Sequence, residues 1–239
     1  MLILALDTTS AVGGASLYRD QECVAHAENE GPANAYSVAL FQMVDRLLSQ
    51  AALSLSSIDL FAVANGPGSF TGIRIGVAAT LGWAQAFQRP ARGVSVLDAM
   101  VEQAAPENEW AVPLLDARKG EFFLGLYRRL QTATGPAARD FQRKEDGWVM
   151  KPQSISAFLQ GTLPSSAAVT CIVREHDDAA LALRESLSKT FRWTKISGTL
   201  VGAIARLALR RQSEGSPYSL ADIDACYIRR PDAETNWKE

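Results

Sequence analysis

Three short stretches combine residue types that could do chemistry. Asp7, Thr8, Thr9 and Ser10 place one carboxylate and three hydroxyls directly after an apolar run, residues 2–6. Residues 116–121, Asp-Ala-Arg-Lys-Gly-Glu, follow a second apolar run, 111–115, in the same way. A carboxylate at a strand end can position a metal-bound phosphate, and Asp7 and Asp116 as a pair would suit a magnesium nucleotide. Each can equally hydrogen-bond the backbone of its own turn, and that is the preferred reading for both. The third stretch, 65–74, reads Asn-Gly-Pro-Gly-Ser-Phe-Thr-Gly-Ile-Arg between an apolar run and a long apolar segment. Its glycines Gly66, Gly68 and Gly72 permit a sharp strand-to-helix turn. Such a corner presents free N–H groups and a positive helix end, so an anion could sit there beside Ser69, Thr71 and Arg74. The spacing is neither the dinucleotide fingerprint nor the Walker pattern. Anion binding and a turn packed tightly for the fold alone both stay open. With Gly120 added, these residues form the candidate set of degenerate phosphate loops.

Other catalytic patterns are missing. His26 and His176 are the only histidines and lie far apart, so no zinc motif forms and no metal site is expected. There is no Gly-x-Ser-x-Gly elbow, and no catalytic residue is assigned. Cys23, Cys171 and Cys226 are widely spaced, which suits buried small side chains in a reducing compartment.

The elements that would position these stretches follow an α/β pattern. Strands are expected over 2–6, 12–18 and 22–28, then a helix over 34–53, a strand over 60–64 and a helix over 71–87. A turn is expected at 89–93 and a helix over 94–104. A second cycle begins with the strands 111–115 and 122–127. Residues 128–147 read as a hairpin connection or exposed loop, and helices over 152–161, 179–189 and 200–211 surround a strand over 167–173. The repeated order of strand, acidic turn and strand suggests two related lobes, residues 1–105 and 106–215, with a tail, 216–239, returning to the first.

Both first-lobe helices carry more apolar surface than one packing face needs. In the first, apolar residues cover an arc of about 200°, whereas a one-sided surface helix needs little over 100°. Leu40, Met43, Val44 and Leu47 on the first helix and Ile75, Ala78, Ala79 and Trp83 on the second are therefore expected at a helix-on-helix interface.

Composition sets the limits. The chain has 239 residues, 47% hydrophobic and 21% charged, enough for one large core or two moderate ones. A net charge of -2 supplies no global basic field for nucleic acid. The apolar opening lacks a basic n-region and meets Asp7 too soon for a signal peptide, and the helix over 73–87 is too short to span a bilayer. A cytoplasmic, non-membrane protein is expected, with no further domain after Glu239.

The opening Leu-Ala-Leu-Asp-Thr-Thr-Ser, the run from Gly66 to Gly76, the stretch 116–121 and the tail Tyr-Ile-Arg-Arg-Pro-Asp-Ala-Glu at 227–234 occur in the order of one family. In these residues the chain resembles the bacterial TsaB (YeaZ) family, paralogues of TsaD. The resemblance implies a two-lobed actin-like ATPase fold with ribonuclease H-like lobes, shared with sugar kinases and Hsp70. It also implies a non-catalytic role in forming threonylcarbamoyladenosine at position 37 of tRNAs that read codons beginning with A. TsaD transfers the group, TsaB pairs with TsaD through its first-lobe helices, and the ATPase TsaE docks on the pair. By the same resemblance tRNA is met through the complex, ATP or ADP and a metal belong to the TsaD-containing assembly, and the chain alone binds no cofactor. A homodimer through the same helices is expected when TsaD is absent. Two departures bear on this. Tyr36-Ser37-Val38 stands where many members have His-Ser-Glu, and residues 197–202 match the kinase adenosine motif poorly. The alternative is a nucleotide-dependent kinase or ATPase of the same fold using Asp7 and Asp116. A metalloprotease reading, suggested by old labels on TsaD relatives, lacks its histidine pair.

Overall fold

The computed structural model describes residues 1–29, 36–130, 141–145, 147–187, 191–215, 223–226 and 228. It opens with β1 (Leu2–Asp7), β2 (Gly14–Arg19) and β3 (Glu22–Glu28), followed by α1 (Tyr36–Gln50), β4 (Leu60–Ala64), α2 (Phe70–Phe87), β5 (Ala91–Val94) and α3 (Val96–Ala104). The second cycle comprises β6 (Trp110–Asp116), β7 (Phe122–Leu124), β8 (Tyr127–Arg129), β9 (Phe141–Arg143), β10 (Trp148–Met150), α4 (Pro152–Thr162), β11 (Val169–Arg174), α5 (Asp178–Ser186) and β12 (Arg192–Ile196). Last comes α6 (Val201–Ser213).

The first sheet has the order β3-β2-β1-β4-β5. β1 pairs antiparallel with β2 and parallel with β4, and β5 continues the parallel side. All six residues of β1 are buried, which explains why it reads as an unbroken apolar run rather than an alternating one. The second sheet repeats the plan as β10-β7-β6-β11-β12, with β8 pairing β6 and β9. Its first strand, β6, is antiparallel to β7 and parallel to β11, so it holds the place that β1 holds in the first sheet.

The chain divides into two compact units, one formed by Met1–Ala99 and the described residues of 199–226, the other by Met100–Gly198 together with Ile228. The first break falls after Ala99 rather than after residue 105, and the helix expected over 200–211 in the second lobe, α6, belongs to the first unit. Its apolar stripe of Val201, Ala203, Ile204, Ala205 and Ala208 is buried, and it packs on β1 and β2. Small residues let it approach closely: a Cβ on Gly202 would lie 2.6 Å from the Tyr18 hydroxyl. Polar bonds fix its end, since Arg92 Nε and Nη2 donate to Gln212 Oε1 at 3.1 and 2.9 Å, and Arg211 donates to Asp98 Oδ2 at 2.7 Å. Nothing in its own pattern distinguishes a stripe destined for the first sheet from one destined for the second.

β5, β10 and β12 are not among the expected strands, and the single strand expected over 122–127 is divided between β7 and β8. Residues 91–94, expected within or beside a turn, form β5 because Ala91 and Val94 fill the edge of the first sheet. β12 alternates Arg, Trp, Thr, Lys and Ile with only Ile196 buried, too weak a pattern to find alone. Residues 128–147 carry β8 and β9 as an antiparallel pair, the hairpin alternative of that expectation. Of the described residues of the tail, 223–226 lie in the first unit and Ile228 in the second.

Candidate functional site

The corner after β1 is built from its own side chains. Asp7 is fully buried, and its Oδ1 accepts from the Thr9 backbone N at 3.0 Å and from Thr9 Oγ1 at 2.6 Å. Ser10 Oγ donates to the Val12 carbonyl at 2.9 Å, closing the same turn. The hydroxyls that could have faced a phosphate therefore serve the turn itself, that of Thr9 on the Asp7 carboxylate and that of Ser10 on the backbone. Tyr36, where α1 begins, is also buried, and a Cβ on Gly13 would meet both its hydroxyl and the Asp7 carbonyl.

The glycine stretch comes to this corner from the end of β4. Ser69 caps α2, accepting from the Gly72 N at 3.3 Å through its hydroxyl and from the Ile73 N at 2.8 Å through its carbonyl. The Ser69 N itself donates to the Thr9 carbonyl at 2.7 Å, and Thr8 Oγ1 donates to the Gly72 carbonyl at 2.6 Å. A Cβ on Gly72 would stand 1.9 Å from the Thr8 carbonyl oxygen, one on Gly76 2.4 Å from Thr8 Oγ1, and one on Gly68 2.5 Å from the Thr9 carbonyl. The space these glycines leave is thus filled by Thr8 and Thr9. Gly66, at φ 117°, takes a conformation that L side chains rarely adopt. Asp7, Thr8, Thr9, Gly68, Ser69 and Gly72 meet in one corner, whereas Thr71 and Arg74 are exposed on the first turn of α2, with the Arg74 guanidinium 3.8 Å above the Phe70 ring.

The second unit repeats the device with different partners. Asp116 Oδ1 accepts from the Arg118 N at 2.7 Å, as Asp7 does from the residue two places on. The Asp116 N donates to Asp177 Oδ2 at 2.9 Å, while Asp177 Oδ1 caps α5 by accepting from the Ala180 N at 2.9 Å. Arg118, Lys119 and Gly120 are all left-handed, with φ of 65°, 56° and 71°. In each unit a carboxylate ending the first strand folds its own turn, and the cap of the helix that follows that strand's parallel neighbour, β4 or β11, bonds back to the same corner.

The helix face requires a correction. Leu40, Met43, Val44 and Leu47, expected at an interface, are buried in the core of their own unit with Leu4, Leu6, Phe61 and Val63. Sheet and neighbouring helix cover most of the wide apolar arc of α1, Phe41 excepted. Ala79 is buried as well, Ile75 and Trp83 are half-buried, and Ala78 is exposed. The apolar surface left open is instead Val38, 64% exposed, and Phe41, 51% exposed, with the Phe41 ring meeting Trp83 edge-on at 5.9 Å. A Cβ on Gly82 of α2 would meet nothing within 4 Å. Val38 and Phe41 lie three apart on the helix side away from its most apolar line, a signal that a narrower arc would have isolated.

Among the described residues no three His, Cys, Asp or Glu side chains gather in a way that could hold a metal ion. His26 pairs with Glu28 at 3.1 Å and His176 with Glu175 at 3.4 Å. No described helix is long and apolar enough to cross a membrane.

Two sheets with one strand plan, and a last helix that returns to the first, define the α/β class of actin-like ATPase folds with ribonuclease H-like units. Comparison with known proteins narrows this. Residues 30–172 match the family model described as TsaD: tRNA N6-adenosine threonylcarbamoyltransferase. The chain is 31% identical over 162 residues to the tRNA threonylcarbamoyladenosine biosynthesis protein TsaB of Escherichia coli, covering 67% of each chain. It is 34% identical to the TsaB of Bacillus subtilis over 54% of this chain and 56% of that one. The solved structure of YeaZ from Pseudomonas aeruginosa superposes with a TM-score of 0.74 at 22% identity, over 95% of this chain and 99% of that one, and so shares the fold. The chain belongs to the TsaB (YeaZ) family.

Proposed function

We propose that this protein acts in the formation of threonylcarbamoyladenosine on tRNA as the non-catalytic partner of a TsaD-type transferase. The pathway follows from its TsaB relatives, which are named for it. The partner role rests on one observation: Thr8 and Thr9 occupy the room that Gly68, Gly72 and Gly76 leave, and the buried Asp7 carboxylate binds Thr9. A phosphate between turn and helix would have to displace that backbone. In this reading the chain binds no nucleotide or metal alone, while ATP or ADP and the metal belong to the transferase-containing complex. It pairs with TsaD through the α1 and α2 face, TsaE docks on the pair, and tRNA is met by the assembly in the cytoplasm. The exposed Val38 and Phe41 give that face an apolar centre of the kind that seeks a partner, including a second copy when TsaD is absent.

The test is a drop-out reconstitution with unmodified tRNA, labelled threonine, bicarbonate, ATP and the other pathway proteins. Loss of label when this chain is omitted, none from the chain alone and full label with Asp7→Asn is the expected result. Full labelling in its absence would overturn the role. ATP hydrolysis by the isolated chain that disappears in Asp7→Asn would instead favour a kinase or ATPase using Asp7 and Asp116.

A further inference from the structure

We infer that residues 223–226 form a releasable strap that locks the β4–α2 corner, with Asn65 as its anchor. The segment enters the first unit through Ile223, which is 2% exposed and belongs to the same buried cluster as Phe61, Val63 and Ala79. It then runs along the corner in backbone contact. The Cys226 N donates to the Asn65 carbonyl at 2.7 Å, and Asn65 Nδ2 donates to the Asp224 carbonyl at 3.0 Å. Asn65 simultaneously donates its own N–H to the Val94 carbonyl at 3.0 Å, so a single residue ties strap, β4 and β5 together. A Cβ on Gly66 would lie 2.6 Å from the Cys226 carbonyl and 3.2 Å from Ile73 Cδ1 of α2, so the strap and the first turn of α2 close on Gly66 from two directions.

Among the described residues the strap is joined to the first unit through Asn65 and Ile223, whereas β1 and β4 are buried along their whole lengths. Such a segment opens sub-globally, at lower cost than the sheet beneath it. Opening removes the Asn65 carbonyl's partner and the wall beside Gly66, so the first turn of α2 loosens with it. Anything that engages the chain after α6 therefore reaches the helix face of the first unit through Asn65, whatever the pathway in which the protein works.

Native-state amide exchange on the full chain decides this. In the unaltered protein the Cys226 amide is expected to be protected, yet to exchange before the β1 and β4 amides. Exchange at the unstructured rate, or only together with β1, would overturn the strap. Asn65→Ala, which removes the bond to Asp224, is expected to speed exchange of Cys226 about tenfold, with a smaller rise at Gly72 and Ile73 and none at β1. An unchanged Cys226 rate in that variant would show that Asn65 is not the anchor. Should Asn65→Ala fold poorly, Asn65→Asp keeps the side chain's size while replacing the donor with an acceptor, and the same comparison applies.

Discussion

Thr8 Oγ1 and the Gly72 carbonyl are 2.6 Å apart, and this buried hydrogen bond joins the turn after β1 to the first turn of α2 across sixty-four positions of sequence. Around it the threonine backbone occupies the place that any side chain at Gly72 would need.

Gly72→Ala is accordingly expected to destabilise the protein by ~3 kcal/mol or more, since the methyl meets backbone rather than a flexible side chain. Gly82→Ala on the same helix adds a methyl in open space and should stabilise by about 0.5–1 kcal/mol through helix propensity. Urea midpoints of the two variants against the parent give the comparison, and a parent-like midpoint for Gly72→Ala would contradict the packing.

Leu47 and Phe41 share α1 and should behave in opposite ways. Leu47 is fully buried, so Leu47→Glu puts a charge into the core and is expected to abolish folding, visible as lost cooperative unfolding by circular dichroism. Phe41→Glu gives up the edge-on contact with Trp83 and should cost about 1 kcal/mol while leaving unfolding cooperative, but weaken the proposed pairing with a TsaD-type partner at least about tenfold by titration. Undiminished pairing would place the interface elsewhere.

Asp7→Ala removes the acceptor of two hydrogen bonds from Thr9 and should cost about 2–3 kcal/mol. Asp7→Asn keeps an acceptor and should cost less. Thermal unfolding of both, set beside tRNA labelling, separates a turn-builder from a catalytic carboxylate: labelling that falls much further than stability in Asp7→Asn would indicate chemistry at that position.

Cys171 lies in the middle of β11, and burial pushes its thiol up to about 12 from the ordinary 9.0. The folded chain keeps this proton where the unfolded chain loses it, so the thiol's contribution to stability is whole below pH 9 and declines as pH rises toward 12, by at most about 1.4 kcal/mol per unit. Comparing the pH 8 to 10.5 loss of stability with that of Cys171→Ala isolates the effect, and equal slopes would refute it. Alkylation at pH 8 should modify the exposed Cys23 while sparing Cys171 until unfolding.

Much of this molecule was legible from local pattern. β1 and β6 announce themselves as apolar runs ending in aspartate, and the glycine stretch marks its strand-to-helix turn through residue types that only such a turn requires. Local pattern could not say what fills the turn. Whether Gly72 makes room for a phosphate or for Thr8 depends on which distant backbone arrives there. The apolar arc of α1 misled for a related reason. Periodicity measures how much of a helix is greasy, whereas sheet and neighbouring helix together decide how much of that is covered, and here they cover Leu40, Met43, Val44 and Leu47 while leaving Val38 and Phe41 open. The stripe of α6 marks a helix but carries no address, so its pattern does not reveal which sheet it covers.

That return of α6 bears on how the chain is made. One face of β1 has no cover until Ala203, Ile204, Ala205 and Ala208 have left the ribosome, by which time all of 100–198 has been synthesised. The first unit therefore cannot close until residues beyond the whole of 100–198 have been made, and 100–198 can begin to settle while β1 still waits for a wall. A nascent chain stalled so that residues 1–198 are outside the ribosome while α6 is still inside it should hold a protease-resistant 100–198 segment beside a susceptible β1.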